Sequence, residues 1–210
     1  MLFRTFDAVL GSVAKVRILR ALLPLSSPVS GNEARLLAGI RSKSGMRAAL
    51  DELTDLGILA CDQTRRIRLF RVNAEHELVE PLRALFRAET TRLTTLRGQL
   101  QDTLDTAGLA EHTLSVILFG SNARGDARPA SDVDLLVVTS APAHAAPVLE
   151  ALMEAVPGFQ GRLGLRLSPY VLDESRAVER YRAGDPLMQN VLSEGRTLYG
   201  TPFHEMVGAW

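Results

Sequence analysis

Two aspartates separated by one residue, Asp132 and Asp134, stand at the start of an apolar run that ends at Val138. Because side chains alternate between the two faces of a β-strand, a strand here would direct both carboxylates to one face and Val133 to the other. Two adjacent anions are costly to hold together, and a hard divalent cation that both carboxylates ligate removes this cost. The pair therefore predicts a Mg²⁺ site with Asp132 and Asp134 as ligands.

Gly120 and Ser121 precede this pair by a ten-residue spacer and follow an apolar run over residues 114–119. The run predicts a buried strand, and the small residues after it predict a sharp turn. Backbone N–H groups and a hydroxyl in such a turn suit phosphate oxygens. Taken singly, these pieces are also typical of an ordinary loop, a turn-capping Asp132 and a solvated Asp134. Their joint order favours a cradle for a triphosphate and its Mg²⁺.

The same residues resemble a known superfamily. The stretches that carry the resemblance are Gly120-Ser121, Ala123-Arg124-Gly125-Asp126 and Ser131-Asp132-Val133-Asp134-Leu135. They resemble the nucleotidyltransferases that include DNA polymerase beta, and more closely the minimal nucleotidyltransferase branch, over roughly residues 109–200. The resemblance implies that Gly120 and Ser121 bind an NTP, with ATP as the expected nucleotide, and that Asp132 and Asp134 are the catalytic, metal-binding pair. Arg124 is the further candidate for nucleotide binding; it and Arg128 lie on a polar loop, where contact with phosphate and simple solvation are equally expected.

The sequence departs from the family at its third carboxylate, which the resemblance places on the next strand. Residues Arg166, Ser168 and Tyr170 share the expected face of that strand, and Ser168 stands where the acid would be. Asp173 lies beyond the strand and is the expected cap of the following helix. Nucleotide binding with one Mg²⁺ is therefore better supported than fast two-metal transfer, and the pattern leaves transfer itself open.

Composition bounds the class of protein. The chain has 210 residues, of which 46% are hydrophobic and 23% charged, which predicts a globular chain of two small domains. The longest uncharged runs are short and contain prolines, and the amino terminus lacks a signal-peptide pattern, so we expect no membrane segment. A single cysteine, Cys61, cannot form an internal disulfide and fits a reducing, cytoplasmic location.

The amino-terminal third predicts three short helices and a hairpin. Ser12 is expected to cap a helix over Val13–Leu23, Ser30-Gly31-Asn32-Glu33 forms a capping box before a helix over Gly31–Ala38, and Ser42 caps a third helix to Leu56. Residues 58–63 and 67–72 predict two strands joined by a basic tip. This order resembles a winged-helix DNA-binding domain.

That resemblance implies contacts with double-stranded DNA from the third helix and the hairpin tip. The expected DNA-binding residues are Ser42, Lys43, Ser44, Arg47, Arg65 and Arg66. Residues 1–90 contain 14 Lys and Arg against 10 Asp and Glu, a modest excess that suits an anionic partner. The alternative is a small interaction domain that docks a protein partner and whose charged faces are solvated.

The remaining segments complete an α+β fold: a winged helix-turn-helix domain, a long linker helix and a small mixed-sheet α/β nucleotidyltransferase domain. One polar helix is predicted over residues 78–106, with an interrupted apolar stripe that also suits a homodimer. Beyond the aspartates, the sequence predicts a helix over Pro147–Val156, a strand over Leu163–Leu172, helices over 174–183 and 186–193, and a strand over 196–199. The predicted domains are 1–77, a linker at 78–108, 109–200 and a tail at 201–210.

These features predict a DNA-binding transcriptional regulator whose second domain binds NTP and Mg²⁺ and, if active, transfers NMP to a hydroxyl. The alternative is a nucleotidyltransferase that adenylylates a protein or small molecule and uses its winged helix only for docking. The acceptor, the DNA sequence and the oligomeric state are not specified by the sequence.

Overall fold

A computed structural model describes residues 5–63 and 67–208. The chain divides into two compact units, Met1–Thr91 and Arg92–Trp210, hereafter unit 1 and unit 2. The hairpin tip Thr64-Arg65-Arg66 lies outside the described residues, and with it two of the predicted DNA-contacting arginines.

Unit 1 consists of helices and a small sheet. Its elements in chain order are α1 (Thr5–Leu10), α2 (Val13–Leu22), β1 (Val29–Ser30), α3 (Gly31–Leu37), α4 (Lys43–Asp55), β2 (Leu59–Gln63), β3 (Arg68–Val72) and α5 (Val79–Thr90). The strands lie in the order β1-β3-β2, and both neighbouring pairs are antiparallel. Strand β1 thus adds a third strand to the predicted two-stranded hairpin. The sequence pattern predicted neither β1 nor α1.

Serine caps begin three of these helices. The hydroxyls of Ser12, Ser30 and Ser42 each accept a hydrogen bond from the backbone N–H three residues ahead. The backbone N–H of Ser30 also donates to Glu33 Oε2 at 2.7 Å, which completes the predicted capping box. The predicted starts of α2, α3 and α4 are therefore confirmed.

The core of unit 1 lies between the helices and the sheet. Its buried members on α2, α4 and α5 recur at helical spacing. They include Ile18, Leu19, Leu22, Met46, Ala49, Leu50, Leu53, Val79, Leu82 and Phe86. Because α5 contributes to this core, it is an integral part of unit 1.

The single helix predicted over residues 78–106 is wrong: two helices occupy this stretch. Helix α5 ends at Thr90, and the Thr91 amide donates to the carbonyl groups of Arg87 and Glu89, while α6 (Arg92–Thr106) begins at the next residue. The buried residues of α5 belong to the core of unit 1, and those of α6 (Leu96, Leu100 and Leu104) belong to a core of unit 2. The interrupted stripe therefore marks the point where one core ends and another begins.

Unit 2 is built on a four-stranded mixed sheet in the order β6-β5-β4-β7. After α6 and a short 3-10 helix at Ala110–His112 come β4 (Thr113–Phe119), α7 (Gly120–Arg124), β5 (Val133–Thr139), α8 (Pro142–Leu163), β6 (Leu167–Asp173), α9 (Glu174–Arg182), α10 (Pro186–Glu194), β7 (Arg196–Gly200) and α11 (Phe203–Val207). Strand β4 is antiparallel to β5 and β7, whereas β5 and β6 are parallel. The predicted mixed α+β architecture of this part of the chain is confirmed.

Both faces of this sheet are covered. Alternate residues of β5 enter different cores: Val133, Leu135 and Val137 pack with α6 and α8, while Leu136 and Val138 pack with α9, α10 and α11. Helix α11, a segment for which the sequence made no prediction, buries Phe203 and Val207 in the second core. The central strands are therefore buried on both sides, as their continuous apolar runs suggest.

Helix α8 is longer than predicted. It begins at Pro142, whose missing N–H costs nothing in the first turn of a helix, and Pro147 and Pro157 lie inside it. It continues to Leu163, so β6 begins at Leu167, and the predicted strand start at 163 is wrong. No helix in the described ranges combines the length and apolar character needed to cross a lipid bilayer.

Gly200 and Gly208 provide a matched test of this packing, because both have positive φ angles, 73° and 67°. A Cβ at Gly200 would collide with the Leu114 carbonyl on β4 and lie 3.1 Å from Ser115 Cα, whereas a Cβ at Gly208 meets nothing within 4 Å. We expect Gly208→Ala to lower the free energy of unfolding by about 1 kcal/mol from φ strain alone, and Gly200→Ala by ~3 kcal/mol or more. Urea unfolding measures both, and equal losses would contradict the close packing at Gly200.

Candidate functional site

The candidate site lies where β4 and β5 meet α7. In the antiparallel register of the two strands, Phe119 pairs with Asp134. The residue that follows Phe119 is Gly120, so the predicted phosphate-binding turn lies next to the second aspartate. The sequence-predicted elements are thus brought together by the sheet itself.

Gly120 allows an unusually close approach to Asp134. Its φ is 69°, in the left-handed region that favours glycine, and a Cβ there would collide with Asp134 Oδ2 and lie 3.3 Å from its Cγ. Any other residue would therefore force the carboxylate away or distort the turn. Ser121 follows in the first turn of α7, half-buried beside this contact.

The two aspartates occupy different environments. Asp134 is half-buried within β5, whereas Asp132 is exposed and precedes the strand, which begins at Val133. Burial raises the pKa of Asp134, the negative charge of Asp132 raises it further, and Arg124 opposes both effects. The Asn122 side chain donates to the Asp132 carbonyl oxygen at 2.7 Å, which ties α7 to the chain before β5.

Arg166 forms an ion pair with one of the two carboxylates. Its Nε lies 2.6 Å from Asp132 Oδ1, and its Nη2 donates to the Ala130 carbonyl at 3.1 Å. Both partners are about half exposed, at 58% for Arg166 and 47% for Asp132. A surface pair of this kind contributes little to stability and is readily exchanged. Arg166 therefore neutralises Asp132 without blocking it permanently.

Ser168 lies directly beside Asp134. The two are partners in the parallel register of β5 and β6, and Ser168 is exposed. Asp173, at the far end of β6, accepts a hydrogen bond from the Arg176 amide at 3.1 Å and caps α9, as predicted. The strand beside the aspartate pair thus presents the hydroxyl of Ser168, and not a carboxylate, next to Asp134.

The donor set suits Mg²⁺ only in company with phosphate. Within residues 5–63 and 67–208, no group of three or more His, Cys, Asp or Glu side chains is arranged to hold a metal ion. Mg²⁺ commonly binds through one or two carboxylates and the phosphates of its substrate. Asp132 and Asp134 fit that arrangement, and the raised pKa of Asp134 indicates a carboxylate that a cation would stabilise.

Glu194, the last residue of α10, is a site residue that the sequence did not predict. Its Oε1 accepts a hydrogen bond from the Gly120 amide at 3.1 Å, and its two oxygens lie 2.8 and 2.9 Å from Arg124 Nη1. Arg124 Nε also lies 3.3 Å from Asp126 Oδ2. Glu194, followed by Asp126, raises the pKa of the Arg124 guanidinium. No local signal marks Glu194, because it is 74 residues from Gly120 in the chain.

The predicted DNA-binding residues that are described lie together on unit 1. Ser42, Lys43, Ser44 and Arg47 are all exposed at the amino-terminal end of α4. Lys43 and Arg47 line a groove of about 470 Å³ with two more cations and an apolar floor. The two further cations are Arg35 and Arg68, and the apolar floor is formed by Met46, Leu50, Ile67 and Phe70. The face is cationic along the groove, although Arg68 and Arg47 lie near the carboxylate of Asp51.

The site residues from Gly120 to Ser168 fall within a match to a known protein family. Residues 101–181 match the family model described as Nucleotidyltransferase domain. No curated protein matches the chain significantly. Two solved structures show limited likeness: a toxin-antitoxin with AMP-PNP, at 18% identity and a TM-score of 0.35, and a mutant of the toxin-antitoxin MntA-HpeT, at 16% and 0.34. Each likeness covers 53% of this chain, and 81% and 80% of those chains, respectively.

The raised pKa of Asp134 makes a prediction about stability. A carboxyl whose pKa is higher in the folded state binds its proton more tightly there, so stability falls as the pH rises through the unfolded and then the folded pKa. Asp134→Asn removes this loss with little change of shape. Without divalent cations, we expect the variant to melt at or slightly above the wild-type temperature at about pH 7, with the difference shrinking toward about pH 4.

Thermal melts across this pH range, with exposed Asp102→Asn on α6 as a charge-matched control, make the measurement. A large fall in the melting temperature of Asp134→Asn would mean that the carboxylate has a structural role.

Proposed function

We propose that unit 2 binds a nucleoside triphosphate together with Mg²⁺ and transfers its NMP group, slowly, to a hydroxyl of a protein or small molecule. The main support for this proposal is the close approach of Gly120 to Asp134, which places a backbone turn and a carboxylate pair side by side. The match of residues 101–181 to a nucleotidyltransferase domain supports the same chemistry.

Each residue has a role in this proposal. Gly120 and Ser121 contact the triphosphate through a backbone N–H and a hydroxyl, and Arg124 neutralises phosphate charge. Asp132 and Asp134 hold Mg²⁺, which would withdraw charge from the phosphates and from the leaving pyrophosphate. Arg166 holds Asp132 in place until the cation arrives with the nucleotide.

The transfer step forms one bond and breaks another. An acceptor hydroxyl oxygen attacks the α-phosphorus, the bond from that phosphorus to the bridging oxygen breaks, and pyrophosphate leaves. The hydroxyl proton needs a base, and Ser168, the neighbour of Asp134 in the sheet, is a poor one. General-base catalysis contributes roughly 10²- to 10⁴-fold to such a step, so the proton passes to solvent or to a group on the acceptor, and turnover is slow.

For unit 1 we propose double-stranded DNA as the partner, with the chain as a whole acting as a transcriptional regulator. In this proposal unit 1 is a winged helix, and α4 enters the major groove, with Ser42, Lys43, Ser44 and Arg47 at bases or phosphates. The supporting observation is that these side chains are exposed together on one end of α4, beside the cationic groove. Arg65 and Arg66 of the hairpin tip are proposed to contact the DNA backbone.

The rival proposal keeps the chemistry and changes the role of unit 1. Here the chain is an adenylyl transferase, and the groove of unit 1 docks the protein that is modified. Mg²⁺, ATP and the aspartate pair have the same roles in both proposals. DNA binding by the intact protein discriminates between them.

The nucleotide proposal predicts Mg²⁺-dependent ATP binding that requires both aspartates. Titration calorimetry should give binding for the wild type and none for Asp132→Asn/Asp134→Asn, with Asp102→Asn binding as the wild type does. With α-labelled NTPs, Ser168→Asp should transfer label about 10²-fold faster than the wild type, because it supplies a base beside Asp134. Mg²⁺-dependent binding that survives in the double variant would rule out this metal site, and fast wild-type transfer would show that another group supplies the base.

The DNA proposal predicts salt-sensitive binding. Each phosphate contact contributes about −0.9 to the slope of log K against log salt, so Lys43→Ala/Arg47→Ala should weaken binding to all sequences and flatten the slope by up to about 2. Arg97→Ala/Arg182→Ala removes the same charge from exposed positions of unit 2 and should leave the slope unchanged. Equal slopes for the wild type and the α4 variant would exclude this face from the interface.

A further inference from the structure

The carboxylate of Glu194 occupies two groups that the proposed function assigns to phosphate. It accepts from the Gly120 amide at 3.1 Å and lies 2.8 and 2.9 Å from Arg124 Nη1. A backbone N–H and a guanidinium are the donors that bind phosphate oxygens best, and a carboxylate is the side chain closest to phosphate in charge and geometry. Glu194 is therefore placed as an intramolecular substitute for a phosphate group.

The charge of Glu194 is unfavourable for helix α10 itself. Glu194 is at its carboxy-terminal end, where the helix dipole disfavours a negative charge. The side chain is also only 20% exposed, so it has given up most of its water for these contacts. The carboxylate instead contacts the Gly120 amide and the Arg124 guanidinium.

Packing fixes where Glu194 stands. The next residue is Gly195, and it is packed closely on β4: a Cβ there would collide with the Val191 carbonyl and lie 2.9 Å from Ile117 Cγ2. The end of α10 is thus held directly against the strand that leads into Gly120. The carboxylate meets the phosphate donors because the backbone of both segments is fixed.

We propose that Glu194 competes with the triphosphate and keeps the phosphate-binding groups closed until a nucleotide displaces it. This inference rests on the proposed nucleotide site. Glu194 is not a third metal ligand, because within the described ranges it forms no cluster with two other acidic or histidine ligands. Its role is to set how readily phosphate enters.

Competition of this kind has a specific signature. If the open form is only a fraction of the protein, the apparent dissociation constant of every ligand that needs it rises by the same factor. ATP, ADP and pyrophosphate all present phosphate to Gly120 and Arg124 and should all be weakened by Glu194. Adenosine carries no phosphate, so its affinity should be independent of Glu194.

The test is Glu194→Gln, which keeps the size of the side chain and removes its charge. Calorimetric titration with ATP and Mg²⁺, pyrophosphate and Mg²⁺, and adenosine would be compared in the wild type and the variant. We expect both phosphate ligands to bind about three- to tenfold more tightly to the variant, with adenosine unchanged. Glu179→Gln, on the exposed face of α9, makes the same charge change and should leave all affinities at wild-type values.

The possible outcomes distinguish failure of the Glu194 competition from failure of the proposed nucleotide site. If wild type and Glu194→Gln bind ATP and Mg²⁺ equally, the competition is wrong. If the variant binds more weakly, the competition is also wrong, and Glu194 instead orders Arg124 for the nucleotide. A gain for Glu179→Gln equal to that of Glu194→Gln would reduce the effect to net charge and also overturn the competition. If neither protein binds any phosphate ligand while both melt cooperatively, the proposed nucleotide site fails, and the inference fails with it.

Discussion

The pairing of Phe119 with Asp134 is the constraint on which the arrangement of unit 2 depends. It carries the chain from β4 into a turn that lies against the second aspartate, and Gly120, at a φ of 69°, is the residue that permits the contact. A register shift of one residue would turn Asp134 to the opposite face of the sheet, which is covered by α6 and α8. The sheet therefore positions the turn and the carboxylate with the same hydrogen bonds that hold β4 and β5 together.

The charges around this contact satisfy one another. Arg166 pairs with Asp132, and Glu194 pairs with Arg124 and the Gly120 amide. Asp134, half-buried and with a raised pKa, is the group least well compensated. In the proposed function, the cation would replace Arg166 beside Asp132, and phosphate would replace Glu194 beside Arg124 and the Gly120 amide. Each group would then keep a partner of the same charge as before. The pair of Arg166 with Asp132 is about half exposed and therefore weak, whereas the Glu194 side chain is only 20% exposed, so displacing Glu194 would make up most of the cost of opening the site.

The features that the sequence predicts correctly are those determined by residues close together in the chain. Ser12, Ser30 and Ser42 act on amides three residues away, so they marked their helices correctly. The break at Thr91 could not be predicted, because it arises where the apolar residues of α5 and α6 enter two separate cores. Glu194 escaped detection for a similar reason: its partners lie 70 and 74 residues away and meet it only through the packing of α10 on β4.

The most direct test of the central claim is a crystal structure of the protein with Mg²⁺ and a non-hydrolysable ATP analogue. The proposed nucleotide site predicts phosphate oxygens on the Gly120 amide and the Ser121 hydroxyl, and a metal ion shared between the phosphates and the carboxylates of Asp132 and Asp134. A nucleotide bound elsewhere, or one bound here with its metal held by other residues, would contradict it.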